Sequence, residues 1–193
     1  NSYRVYLKFM TVQINYKSSS SNKVSSNLVL FVDEKFNING VKKYISNLEF
    51  SYISDLLKTS DLKKDLLLFK INSKKTIFLA SIKKEIKTSD IENLGAKFHG
   101  FINYDKKDEY SISSDTIRSK IKNFLGYFLH GIKLKSYEFN IYKSKKNKKL
   151  VSINVIGNKN KISSEDQLRF KALEEGTFFA RDLVSEPGNI LHP

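Results

Sequence analysis

Residues Asn27 to Val32 read NLVLFV, six positions of which five are large and apolar with no polar alternation. A strand with one wet face alternates, so an unbroken run of this length predicts a strand covered on both faces, as in a layered α/β sheet. Working outward, Val12, Ile14 and Tyr16 alternate with polar residues as in a half-buried strand, and Ser18 to Ser26 is a polar, Ser-rich link. Downstream, Val41 to Leu48 predicts a helical stretch. Leu66–Ile71 and Thr76–Ile82 are two more apolar runs, and the four polar residues between them suit a short hairpin connection.

The period then lengthens from two to about 3.6. Ile91, Leu94, Phe98 and Phe101 or Ile102 predict an amphipathic helix after a Ser89 cap, and Tyr110–Ile112 a short strand. Asp115 is expected to open a second helix, with Ile117, Ile121, Phe124, Leu125, Phe128 and Leu129 as its apolar stripe. Val151–Ile156 (VSINVI) reads as another strand, followed by a turn through Gly157, Asn158, Asn160 and Ser163. Strands alternating with helices give the α/β class.

Ser164 to Val184 is the clearest single element. Ser164 and Gln167 are placed as an S-x-x-Q capping box, Glu165 and Asp166 suit the positive helix end, and Arg181 lies near the negative one. Leu168, Ala172, Gly176, Phe179 and Leu183 share one face, and Pro187 prevents continuation.

The chain has 193 residues, with 40% hydrophobic and 28% charged residues and 24 aromatic rings (14 Phe, 10 Tyr). This is the range of one domain with an appendage, and too apolar for a disordered chain. No run reaches the roughly 18 to 20 apolar residues needed to cross a bilayer, and no export signal is visible. Zero Cys excludes disulfides, thiolate zinc sites and a Cys nucleophile, so a cytoplasmic location is expected. Met10 is the only Met, which suggests a native start there with residues 1–9 upstream of it.

The net charge of +14 comes mostly from Lys, because only Arg4, Arg118, Arg169 and Arg181 are Arg. Lys travelling with much Asn, Ser and Ile looks like base composition acting on surface positions. Bidentate phosphate and base readout tends to recruit Arg. Residues 163–193 hold three basic against six acidic groups, net −3, while 31 basic against 14 acidic groups leave residues 1–162 at +17. A boundary is expected there, with one domain over 1–162 and a linker helix over 163–193. Lys143–Lys149 (KSKKNKK) carries five Lys in seven residues without Arg or aromatic residues, which reads as an exposed basic loop with nucleic-acid binding as the alternative.

Signals for chemistry are lacking. His99, His130 and His192 show no metal-ligand spacing, and surface or satisfied core positions are expected for His99 and His130. No nucleophile elbow, Walker loop or dinucleotide fingerprint occurs. Glu174 and Glu175 point to different sides of their helix and are expected to be solvated. No catalytic, cofactor-binding or metal-binding residue is therefore assigned.

The string EEGTFFARDLVSEPGN resembles the leucyl (cytosol) aminopeptidase family, in which a helix ending A-R-D-L-V-N-x-P-x-N leads out of an N-terminal domain. Ala180, Arg181, Asp182, Leu183, Val184, Glu186, Pro187 and Asn189 stand at matching places, with Ser185 where Asn is commoner. Upstream, Gly131, Leu134, Tyr137, Phe139, Tyr142 and Lys143 match the family's G-x-x-L-x-x-Y-x-F-x-x-Y-K segment. The resemblance implies a macro-like α/β domain, a mixed sheet flanked by helices, followed by a long linker helix into a catalytic domain that is truncated here. It implies a parent enzyme that releases N-terminal amino acids from peptides and uses two divalent metals, Zn or Mn, in that missing domain. It also implies a homo-hexamer. The acidic N-T-D-A-E-G-R signature is absent, so no catalytic position can be placed in this chain. Asp182, Glu186 and Asn189 are expected to fix the chain path through side-chain to backbone hydrogen bonds. A nucleic-acid-binding module is the alternative function, and ADP-ribose binding in the macro-like fold a minor one, since the Gly-rich phosphate loop is lacking.

Overall fold

A computed structural model describes residues 12–16, 27–139, 142 and 150–187. Met10, the Ser-rich link, Lys143–Lys149, Asn189 and His192 lie outside the described residues. Six strands form one sheet: β1 (Val12–Tyr16), β2 (Asn27–Asp33), β3 (Leu66–Lys70), β4 (Thr76–Ile82), β5 (Glu109–Ser113) and β6 (Val151–Ile156). Their order is β1-β6-β5-β2-β4-β3, all parallel except β3, which runs antiparallel to β4. The expected α/β class with a mixed sheet is therefore observed.

β2 lies inside the sheet, and Leu28 to Val32 are buried, as the NLVLFV run requires. Odd and even positions feed two cores. Val29 and Phe31 face α2 (Thr88–Tyr104) and α3 (Phe124–Lys135), while Leu28, Leu30 and Val32 face α1 (Asn47–Leu57) and the 3-10 turn at Asn39–Tyr44. On the first side six aromatic rings interlock edge to face. Phe31 meets Phe124 and Phe128 at 5.4 and 5.2 Å between centroids, and Phe78 meets Phe98 at 5.1 Å, with Tyr110 beside both. Such contacts add to the area term of burial.

Before the last helix, helix boundaries differ from the sequence reading at three places, each for a local reason. The stretch at Val41–Leu48 is split, because Ile45 is extended and Ser46 starts a new helix through a reciprocal box with Glu49. The helix expected after a Ser89 cap begins at Thr88. Its first turn is closed by the Asp90 carboxylate, which accepts from the Lys87 amide at 2.9 Å. Ile102 is the buried member of the Phe101/Ile102 pair. Asp115 does not open a helix: its carboxylate accepts from the amides of Asn158 and Lys159 at 2.7 and 2.6 Å, and α3 starts only after Asn123, which is left-handed at φ 59°. The expected stripe still faces the core, with Ile117 and Ile121 delivered by the irregular segment before the helix.

Two carboxylates shape the rim at the C-terminal ends of the parallel strands. Besides Asp115, Asp33 at the end of β2 accepts from the amides of Lys35 and Asn37 at 3.0 and 2.9 Å. Thr116 closes the top of β2, accepting from the Phe31 amide at 3.0 Å and donating to the Ser113 carbonyl at 2.8 Å.

α2 and α3 approach each other closely through a reciprocal pair of glycines. A Cβ at Gly95 would sit 2.0 Å from the Phe128 carbonyl oxygen, and one at Gly131 would sit 1.9 Å from the Glu92 carbonyl oxygen. Both obstacles are backbone, so neither can turn aside. We expect Gly95→Ala or Gly131→Ala to push the helices apart and cost about 1–3 kcal/mol in urea unfolding, the usual range for overpacking. Gly100 sits in α2 with nothing near a would-be Cβ, so Gly100→Ala should be neutral or stabilising by up to about 1 kcal/mol.

Asp65 precedes β3 and is held between Lys83, at 2.8 Å, and Lys97. The hydrogen bond from Lys83, then that from Lys97, hold its carboxyl below the usual carboxylate range. A carboxylate depressed on folding stabilises above its unfolded pKa, near 3.9, and loses that contribution as pH falls through the folded value. Asp65→Asn should therefore lower the urea midpoint at pH 7 and leave it nearly unchanged near pH 2.

Candidate domain-linking site along the C-terminal helix

The last helix, α4 (Ser164–Ser185), docks on the outer surface of α3. Its cap is Ser163, one residue before the expected Ser164: the Ser163 hydroxyl accepts from the Asp166 amide at 3.1 Å, and Gln167 reaches back to the Ile162 carbonyl at 3.0 Å. The box slips by one residue because Ile162 is a core residue that anchors the chain entering the helix.

Only Phe170 and Glu174 of α4 are buried. Phe170 fills a seat made by a missing side chain, since a Cβ at Gly126 would lie 2.2 Å from its ring. The ring also meets Tyr127 edge-on at 5.2 Å and His130 at 5.5 Å. Glu174, one turn on, lies 3.3 Å from His130 Nδ1. It was expected to be solvated; instead it is 7% exposed, because the docked face of α4 is the one that carries it. Glu175 does face water, beside Lys171 at 3.8 Å. Lys133 is buried in the same place and donates to the Val12 carbonyl at 2.5 Å, tying edge strand β1 to α3. Burial pulls the Lys133 ammonium below its ordinary pKa, and the charge of Glu174 opposes that shift. The cluster thus keeps a carboxylate beside a cation and an imidazole, as a buried charge requires.

Toward its C-terminus, α4 is held by the segment after α3. The Arg181 guanidinium donates to the Leu134 carbonyl at 2.7 Å and lies 5.4 Å above the Tyr137 ring. Tyr137 also stacks on Phe178 at 5.4 Å, and its hydroxyl donates to Asp182 at 2.6 Å. Burial, then the hydrogen bond to the Asp182 carboxylate, push the Tyr137 hydroxyl up to about 12, so it remains a donor. Tyr142 donates to Glu186 at 2.5 Å, which raises its own pKa. Asp182 and Glu186 were expected to bond backbone groups. Their partners shown here are the hydroxyls of Tyr137 and Tyr142, in the segment after α3.

These contacts join the two separated strings singled out in the sequence. Tyr137 and Tyr142 belong to one, Arg181, Asp182 and Glu186 to the other, and each of the five touches the opposite string or the end of α3 leading into it. His130 is a satisfied core residue and His99 is buried on α2. Among the described residues no group of three or more His, Asp or Glu side chains could hold a metal ion, and no helix is long and apolar enough to cross a membrane.

A probable cytosol aminopeptidase of Clostridium perfringens (strain 13 / Type A) is 38% identical over 79 residues, 38% of this chain and 16% of the relative. A tomato leucine aminopeptidase mutant superposes with TM-score 0.67 over 94% of this chain and 40% of its own, at 17% identity. The fold is that of the leucine and cytosol aminopeptidase structures it superposes on, and part of the sequence is similar to a cytosol aminopeptidase. Two further structures with a similar fold are the cytosol aminopeptidase from Coxiella burnetii (TM-score 0.57, 12% identity, 90% of this chain and 34% of that one) and the bottromycin maturation enzyme BotP in complex with Mn (TM-score 0.61, 11% identity, 88% and 34%). No protein-family profile matches. The chain spans 16% of the curated relative and 34–40% of these solved chains, so its resemblance to leucyl aminopeptidases concerns one part of a longer architecture.

Removing the Tyr137 hydroxyl while keeping its ring should free Asp182 and loosen the C-terminal half of α4. For Tyr137→Phe we expect hydrogen exchange of amides around Phe178–Leu183 to quicken about tenfold, the scale of one hydrogen bond worth roughly 1 to 1.5 kcal/mol. Exchange in β2 and β4 should not change.

Proposed function

We propose that the chain is the non-catalytic N-terminal part of a metal-dependent leucyl (cytosol) aminopeptidase, a cytoplasmic hydrolase that releases N-terminal amino acids from peptides. The contact between the string around Tyr137 and the string around Asp182 carries this reading. Two segments that separately resemble the family are held together by paired side chains, so they act as one device. The device fixes the angle at which α4 leaves the domain at residue 163 and after. A catalytic domain joined there would be held at a set distance from the first domain, and the roles of this part would be hexamer assembly and restriction of substrate entry.

In such a parent, two divalent ions, Zn or Mn, would sit in the catalytic domain and polarise the first peptide bond and an attacking water. That BotP was solved with Mn fits such a parent. None of the residues described here would touch those ions. The nucleic-acid alternative is not favoured: the relatives are named as aminopeptidases or a maturation enzyme, and several lysines are engaged within the domain, Lys75 with Glu49 at 2.6 Å and Lys83 and Lys97 with Asp65.

The test is to read the coding frame beyond Pro193, express the longest in-frame protein, and assay both it and the 193-residue chain on leucine p-nitroanilide with Mn²⁺ or Zn²⁺. Metal-dependent release by the longer protein and none by the chain alone is the expected outcome. A longer protein with no carboxylate-rich metal segment and no release would overturn the reading.

A further inference from the structure

The turn that leaves β6 is built around an anion it does not itself supply. Residues 150–163 carry Lys159 and Lys161 but no acid. The amides of Asn158 and Lys159 nevertheless converge on a single oxygen, Oδ1 of Asp115, at 2.7 and 2.6 Å. Asp115 stands 43 residues before Asn158, on the short turn after β5. Neighbouring amides that meet at one point outside their own segment form a nest, the backbone arrangement that holds oxyanions. Gly157 makes the room for one. Its φ of 117° is a conformation that L side chains rarely adopt, and a Cβ there would lie 2.9 Å from both Cγ and Oδ1 of Asp115.

The nest does not owe its shape to the carboxylate that fills it. Ser114 Oγ donates to the Ile156 carbonyl at 3.1 Å, and the Asn160 side-chain amide bridges the carbonyls of Ser114 and Ile117, both at 3.0 Å. Thr116 fixes the other side of the same turn through the Phe31 amide and the Ser113 carbonyl. None of these bonds involves the Asp115 side chain, so cutting it back leaves two amides aimed at one point.

We infer that the turn at residues 157–160 is an oxyanion-binding site, taken in this chain by the Asp115 carboxylate and open to a free carboxylate or phosphate once that side chain is removed. The filled site ties the end of β6 to the end of β5 just before the chain passes through Ile162 to the Ser163 cap of α4. The inference does not rest on the peptidase reading.

The test is chemical rescue of Asp115→Ala in the 193-residue chain, with sodium acetate and inorganic phosphate as probes. Sodium chloride at equal ionic strength is the control, because a chain of net charge +14 gains from any salt that screens it. The variant should show a lower urea midpoint and faster hydrogen exchange in the first turn of α4. Acetate and phosphate should each restore both, with half-saturation at about 1–10 mM, the affinity of two charge-assisted hydrogen bonds. In amide NMR spectra of the variant, the Asn158 and Lys159 cross-peaks should move along the same curve. The unmodified chain, and Asp115→Asn, whose amide oxygen still fills the nest, should show no saturable response. Should Asp115→Ala fail to fold in plain buffer, it should fold in acetate or phosphate and not in chloride; folding in none of the three overturns the inference. Rescue by chloride to the same extent overturns it as well, as do Asn158 and Lys159 cross-peaks that neither probe moves. So does a probe that moves them equally in the unmodified chain. None of these readouts involves peptide hydrolysis, so failure here leaves the peptidase reading standing.

Discussion

The close approach of α2 and α3 at Gly95 and Gly131 is the constraint on which the rest depends. It sets how closely α3 lies beside α2, and α3 is in turn the floor for the last helix, α4. Along one surface α3 offers a hollow at Gly126 for Phe170, an imidazole at His130 for Glu174, and a free carbonyl at Leu134 for Arg181. Each belongs to the same twelve-residue helix, so a shift in its position moves all three together. The interior and the departing helix are thus coupled mechanically without sharing a core.

The ionisable cluster in this interface contributes more to register than to net stability. Burying Glu174, His130 and Lys133 costs desolvation that their mutual interactions roughly offset. The arrangement penalises alternatives instead. If α4 slid by one turn, Phe170 would face the imidazole and ammonium, and Glu174 would leave them for water. The tyrosines at the other end act in the same sense, because the Tyr137 and Tyr142 hydroxyls each meet one carboxylate of α4.

Much of the fold was legible in the chain because periodicity reports burial directly. The NLVLFV run, the paired apolar runs at Leu66 and Thr76, and the 3.6-residue spacing from Ile91 each named an element that exists. Boundaries were less legible, because they depend on which partner a polar side chain finds. Asp115 has the composition of a helix start, yet its carboxylate is taken by amides 43 and 44 residues away. Glu174 illustrates the same limit at the candidate site. Its burial follows from which face of α4 docks, and α4 has apolar residues on both sides, so spacing shows the shared Leu168, Phe179 and Leu183 face but not that the opposite side carrying Phe170 and Glu174 is the docked one. The two family-like strings could be read as strings, but that their tyrosines and acids are bonding partners is a property of three dimensions.

The rim at the C-terminal ends of the strands has a further consequence. In open parallel sheets this mouth is where a negatively charged guest usually settles, held by backbone amides. Here Asp33 and Asp115 already sit in two such amide pairs, as tethered guests that never leave. Any incoming anion would have to evict a carboxylate joined to the same chain, at an effective concentration no free solute matches. The domain thus stoppers the mouth of its own sheet with two carboxylates of its own chain.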